Sequence, residues 1–234
     1  MNVVCIVQAR NGNTRLPDKG DIELGGKSVL QNVVERIQRA SKINDLCVAF
    51  PRSDSIGETC REIGVPWYEA GYGIDDSDLI GRYLAAANSF KADLVVRVCA
   101  DNPCVEPEAI NWLIENTAGM SDPCRILKLN SENFAGDHDG FGGELYTFEM
   151  LEWMDRTIKD PIYREHPHKF WRDMGAWAYV GKDYPRGFRL DVNTEADYQK
   201  LKRIYDHFGH NRFTVKEVMD YLGKASMAER NLST

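Results

Sequence analysis

The 234-residue chain carries 29 Lys and Arg against 36 Asp and Glu, a net charge of −7 with no long basic stripe. That balance argues against nucleic acid as the main partner and points to a small anionic ligand held locally. The length allows one α/β domain with a sizeable core, and we read 1–234 as a single domain in which 121–175 forms an excursion for substrate binding or dimerisation. The start, Met1-Asn2-Val3, has no positive n-region and its apolar run ends at Arg10, so neither a signal peptide nor a membrane span is expected, and the setting expected is cytoplasmic. The six cysteines form no C-x-x-C pair and no Cys/His cluster at zinc spacing, and Cys5, Cys47 and Cys99 sit in apolar runs as small hydrophobes.

The chain opens with Asn2 to Gln8, an apolar β-branched run that reads as a buried strand, and empties at once into Ala9-Arg10-Asn11-Gly12-Asn13-Thr14-Arg15-Leu16-Pro17-Asp18-Lys19. A glycine-containing turn offers backbone N–H groups to an anion, and Arg10, Arg15 and Lys19 add planar forks and a point charge. Phosphate is the ligand that suits this loop. Gly25-Gly26-Lys27-Ser28 imitates the end of a Walker A motif but fails its spacing, because the first glycine would have to stand at Asp21. Ser28 instead reads as the N-cap of an amphipathic helix ending near Ser41. Strand Leu46–Phe50, a helix over 53–63, a strand segment from Val65 to Tyr68 and a helix opened by Asp75, Asp76 and Asp78 follow, and Arg82 lies in the last of these. Strand and helix alternating at this interval indicate βαβ crossovers and a largely parallel sheet.

A fourth strand, Leu94 to Ala100, ends at Asp101-Asn102-Pro103, which places a carboxylate at the carboxyl end of a central strand, the edge where open α/β sheets take ligands. Asp101 could hold Mg²⁺ against phosphates cradled by Arg10, Arg15 and Lys19, and it could also cap the turn before the helix near Glu106. The region 121–143 is polar and glycine-rich, with His138 between two aspartates. Glu144 to Phe148 returns as a strand and leads into a helix over 149–159. The segment Tyr163-Arg164-Glu165-His166 is dense in ionisable and aromatic groups and suits substrate or dimer contacts. Arg189 to Asn193 reads as a last short strand, followed by a helix capped by Thr194, and Thr214 to Thr234 as a short helix with a frayed end. Asp101 and Asp191, each near a strand end, could share the divalent ions that triphosphate chemistry uses.

The string Gln8 to Lys19 resembles the signature loop of cytidylyltransferases that activate sugar acids, in particular the spore-coat polysaccharide biosynthesis branch. Leu24-Gly25-Gly26-Lys27, Asp78 to Tyr83, Arg97 to Pro103, Arg164-Glu165-His166 and Arg189 to Asp197 match in the same order, so the similarity spans most of the chain. The resemblance implies a Rossmann-like, mostly parallel mixed sheet of the nucleotide-diphospho-sugar transferase (GT-A-like) type, with a small arm that builds a homodimer. It implies CTP as the nucleotide, an acidic sugar as acceptor, pyrophosphate as product and Mg²⁺ as cofactor. Gln8, Ala9, Arg10, Gly12, Asn13, Arg82 and Ala100 would then bind the nucleotide, Arg15 and Lys19 would meet the triphosphate, and Asp101, with Asp191 and Asn193, would hold the metal. Arg164, Glu165 and His166 would meet the acceptor.

Three positions depart from the family pattern: Asn13 replaces Ser, Ala100 replaces Gly, and Asn193 stands where the family carries Asp. An amide is a poorer Mg²⁺ ligand than a carboxylate, and Asp191, on the same strand face, is the residue that could replace it. Two other readings stay open on sequence: a glycosyltransferase that consumes a nucleotide-sugar on the same fold, and a nucleotide-binding homologue impaired in catalysis by Asn193.

Overall fold

The computed structural model describes residues 1–11, 16–52, 54–117, 126–128, 140–174, 177–179 and 189–232. In chain order come β1 (Val3–Gln8), β2 (Glu23–Leu24), β3 (Lys27–Ser28), α1 (Val29–Ile37), β4 (Asp45–Phe50), α2 (Ile56–Ile63), β5 (Trp67–Glu69), α3 (Leu79–Ser89), β6 (Leu94–Cys99) and α4 (Pro107–Thr117). They are followed by β7 (Ile126–Lys128), β8 (Glu144–Thr147), α5 (Phe148–Thr157), α6 (Pro161–Glu165), α7 (Pro167–Asp173), β9 (Trp177–Tyr179), α8 (Glu195–Phe208) and α9 (Val215–Leu232).

The seven-stranded sheet has the order β5-β4-β1-β6-β8-β7-β9. Its first four strands are parallel, and β8 runs antiparallel to β6, which makes the sheet mixed but mostly parallel as the crossover pattern predicts. Both faces of β1 are covered. Val3, Cys5 and Val7 pack with Leu30 and Val33 of α1 and Ile110 and Leu113 of α4, whereas Val4 and Ile6 pack with Ile80 and Tyr83 of α3 and Met150 of α5. A strand buried on both faces has no polar alternation, which is why its sequence reads as a continuous apolar run. From β1 the chain moves outward through β4 to β5, then crosses back to lay β6 on the other side of β1. The carboxyl ends of β1 and β6 therefore diverge at a topological switch point, where such sheets open a crevice.

Local chemistry fixes the helix starts. Ser28 Oγ accepts from Gln31 N at 3.0 Å, Asp78 Oδ1 accepts from Gly81 N at 3.0 Å, and Thr194 and Asp197 form a reciprocal capping box on α8. Each such cap contributes about 1 kcal/mol. The aspartates Asp75 and Asp76 precede α3 rather than forming its first turn, and α1 ends at Ile37, short of Ser41.

Four features differ from expectation. Gly25 and Gly26, with φ of +63° and +79°, turn the β2–β3 hairpin, a pairing that requires left-handed residues at both central positions. Arg189–Asn193 forms no strand and joins no sheet, because it lies beyond the end of β6 rather than beside it; Val192 N donates to Asp101 O at 2.8 Å. β8 and α5, inside the presumed excursion, belong to the main layers: β8 pairs with β6, and α5 packs on α3. Finally, α9 is one continuous helix, anchored where Val215, Val218 and Met219 enter a third apolar cluster with Leu201, Ile204 and Tyr205 of α8. His138 and most of the polar stretch around it lie outside the described residues.

Candidate functional site

At the β1/β6 switch point lies a cleft of about 280 Å³. It gathers Gln8, Ala9, Arg10 and Lys19 from the end of β1 and its loop, Ala100 and Asp101 from the end of β6, Glu165 and His166 from the α6–α7 junction, and Asp191 and Asn193 from the segment before α8. Gly12, Asn13 and Arg15 lie outside the described residues.

Oxygen donors and cations alternate across this cleft. Lys19 Nζ forms an ion pair with Asp101 Oδ2 and donates to Asn193 Oδ1 at 3.1 Å. Asn193 Nδ2 donates in turn to Asp191 Oδ2, and the Arg189 guanidinium holds both oxygens of Asp191 at 2.8 and 3.0 Å. Asn193 thus bridges a cation and a carboxylate, which only an amide can do with its oxygen toward one and its nitrogen toward the other. On the other wall Arg10 Nη2 stands 3.4 Å from Glu165 Oε1. Burial, reinforced by the Lys169 charge and opposed by Glu165, lowers the pKa of His166 and so favours its neutral ring.

Gly140 secures the segment that carries Asp191. It has φ +77°, and a Cβ there would come within 2.4 Å of the Leu190 carbonyl carbon and 2.5 Å of Asp191 N. Gly140→Ala is therefore expected to destabilise the fold by roughly 2–4 kcal/mol through combined overpacking and left-handed strain. Urea denaturation checks this, and an unchanged midpoint would contradict the role given to Gly140.

Beneath the cleft sits a polar cluster that the sequence reading did not assemble. Arg97, in the middle of apolar β6 and only 5% exposed, pairs with Glu144 of β8 at 2.6 Å. Glu144 also accepts from the Tyr146 hydroxyl at 2.5 Å. Burial alone would depress the Arg97 pKa; the Glu144 charge, with Cys99, Tyr83 and Tyr146 acting in the same direction, outweighs it, and the guanidinium is held above its ordinary value. Burial pushes the neighbouring Cys99 thiol up to about 11, against the opposing pull of Arg97, so it is not a thiolate nucleophile at neutral pH. The signal was present in the sequence as a charged residue inside an apolar strand, which must find a buried partner.

Two expected ligand contacts are placed elsewhere. Arg164 does not line the cleft: it clasps Asp78 at 2.7 Å and Asp155 at 2.6 Å, and donates to the Ile158 carbonyl at 2.9 Å, tying α6 to α3 and α5. Arg82 is 1% exposed, lies outside the cleft lining and donates to the Asp76 carbonyl; its Nε and Nη1 find no partner among the described residues. Both arginines serve the packing around the N-terminus of α3 in this structure.

The described residues contain no group of three or more His, Cys, Asp or Glu side chains disposed to hold a metal. The donor set nonetheless suits a hard cation, because Asp101 Oδ2 and Asn193 Oδ1 already converge on one positive charge, the Lys19 ammonium, with Asp191 adjoining. Mg²⁺ commonly takes one or two protein oxygens and fills its shell with phosphate and water.

Residues 4–205 match the family model described as Cytidylyltransferase. The spore coat polysaccharide biosynthesis protein SpsF of Bacillus subtilis is 26% identical over 224 residues, covering 89% of this chain and 88% of that protein. The 8-amino-3,8-dideoxy-manno-octulosonate cytidylyltransferase of Shewanella sp. (strain W3-18-1) is 30% identical over 228 residues, covering 87% of this chain and 85% of that one. Among solved structures, a cytidylyltransferase from Leptospira borgpetersenii shares the fold with a TM-score of 0.86 at 22% identity, over 97% of this chain and 96% of that one. A family match over most of its length, joined to a cleft at the switch point of a mostly parallel sheet, shows that the chain belongs to the cytidylyltransferase family and is a nucleotidyltransferase.

Proposed function

We propose that the protein transfers CMP from CTP to a hydroxyl of an acidic sugar, releasing pyrophosphate, in the biosynthesis of a surface polysaccharide or glycoconjugate. The observation that carries this reading is the Lys19–Asp101–Asn193 arrangement at the end of β6, a cation and two oxygen donors meeting in one cleft. The acceptor hydroxyl oxygen attacks the α-phosphorus of CTP and releases its proton to water, the bond from that phosphorus to the α,β-bridging oxygen breaks, and pyrophosphate leaves. Arg10 and Lys19 exchange their carboxylate partners for phosphate oxygens, and Arg15 is assigned to the triphosphate with them. That exchange frees Asp101, which with Asp191 and Asn193 would hold Mg²⁺. The metal supplies charge neutralisation of the triphosphate. Positioning and electrostatics account for most of the acceleration, as in other phosphoryl-group transfers. Glu165 and His166, lining the same cleft, are the residues that would meet the acceptor.

The proposal includes a homodimer, with the exposed Ile162 of α6 and Met174 after α7 as apolar contacts, and a cytoplasmic setting. Among the described residues no helix is long and apolar enough to cross a membrane. The test is pyrophosphate release with Mg²⁺ and each of the four NTPs against a panel of sugar acids, sugar phosphates and phosphonates. Release confined to CTP and one acidic acceptor is expected. Release of a nucleoside diphosphate from a nucleotide-sugar, with no pyrophosphate from any pair, would replace this reading with that of a glycosyltransferase.

A further inference from the structure

Gln8, the last residue of β1, lines the cleft beside Ala9 and Arg10. Its side-chain oxygen is fully engaged from behind: Oε1 accepts from the Tyr83 hydroxyl at 2.9 Å, from Arg97 Nε at 3.2 Å and from Arg97 Nη2 at 3.0 Å. A guanidinium has no lone pair, so the reversed amide would set N–H against N–H next to a full positive charge. Which end of the amide faces Arg97 is therefore dictated by chemistry. The clamp itself cannot turn, because Arg97 is fixed by Glu144 at 2.6 Å and donates to the Tyr83 hydroxyl at 3.1 Å, and Tyr83 is 2% exposed. What remains to Gln8 is Nε2, two donors with no acceptor among the described residues.

Resting on the reading that the cleft binds CTP, we propose that Gln8 selects the base, its locked Nε2 donating to the N3 lone pair of cytosine, with Arg97 and Tyr83 as positioning residues. Cytosine and uracil share the O2 acceptor and differ at C4, an amino donor against a carbonyl acceptor, and at N3, which is an acceptor in the first and an N–H donor in the second. A free glutamine would serve both by rotating its amide. A glutamine that cannot rotate offers uracil a donor facing a donor, which leaves two polar groups unpaired in a partly desolvated site. Discrimination of roughly 10- to 100-fold follows from one such mismatch.

The experiment is calorimetric titration of CTP and UTP, each with Mg²⁺, into wild type, Gln8→Glu, Gln8→Met and Tyr83→Phe, with melting curves for all four. Wild type is expected to favour CTP by at least about 10-fold. Gln8→Glu, which presents acceptors only, should bring the CTP/UTP ratio to near one or invert it; Gln8→Met should abolish the preference without inverting it, and serves if the Glu variant does not fold. Tyr83→Phe, with Arg97 still in place, should shrink the ratio without erasing it. A folded Gln8→Glu or Gln8→Met that keeps the wild-type ratio overturns the proposal, as does a wild type that binds both nucleotides equally or neither. A wild type that prefers CTP but releases no pyrophosphate with any acceptor would refute the transfer reading instead, and loss of its preference in the Gln8 variants would still support base selection.

Discussion

Lys19→Ala is expected to lower pyrophosphate release from CTP by roughly two to three orders of magnitude, the usual cost of removing one preorganised charge from a phosphoryl or oxyanion site. The effect has two parts. The transition state loses a cation, and the bound triphosphate loses the phosphate contact that Lys19 supplies once it has left Asp101. KM should therefore rise as well as kcat fall. The folded state should tolerate the change, because the two side chains are 16% and 18% exposed and water can reach the carboxylate left behind. Lys19→Arg keeps the charge but replaces a compact ammonium with a planar fork that cannot fit between Asp101 and Asn193 in the same way, so it should rescue only part of the activity. Steady-state pyrophosphate release with CTP, beside a melting curve, checks both variants. Activity within about three-fold of wild type for Lys19→Ala would remove Lys19 from the site.

Glu144→Ala is expected to give the largest loss of stability, about 3–5 kcal/mol, the cost of breaking a buried ion pair from one side. Arg97 is 5% exposed and would keep its charge with no counterion, and the Tyr146 hydroxyl would lose its acceptor. Glu144→Gln retains the shape and one acceptor oxygen and should cost less. Paired replacement of Arg97 and Glu144 by apolar residues should be milder still, since it leaves no orphaned charge. Urea denaturation with a constant m-value is the measurement. A loss below about 1 kcal/mol for Glu144→Ala would mean that water enters and solvates Arg97, and that the Gln8 clamp is looser than the geometry indicates.

The elements legible in the sequence are those set by nearest neighbours. The β-branched run Val3–Val7 specifies a strand covered on both faces, Ser28 and Thr194 start α1 and α8 by bonding N–H groups three residues on, and the spacing of strands and helices specifies a largely parallel sheet. The basic loop after β1 and the carboxylate after β6 were readable for the same reason, because each sits directly behind a strand that the sequence declares. The hairpin of Gly25 and Gly26 was legible in principle as a two-glycine turn, but its strands are only two residues long and show no alternation.

The tertiary structure alone decided who partners whom. Lys19 meets Asp101 across 82 residues and Asn193 across 174, Arg97 meets Glu144 on a strand that returns antiparallel, and Arg164, chemically as suited to a sugar acid as any arginine in the chain, is taken by Asp78 and Asp155. A charged side chain carries the same signature in sequence whether it faces a ligand or a buried counterion, since both satisfy the same electrostatic need. Sequence could therefore mark where cations and carboxylates stand along the chain. Only the closing of β6 against β1, with the segment before α8 tied to Asp101 through Val192, determined which of them face the cleft.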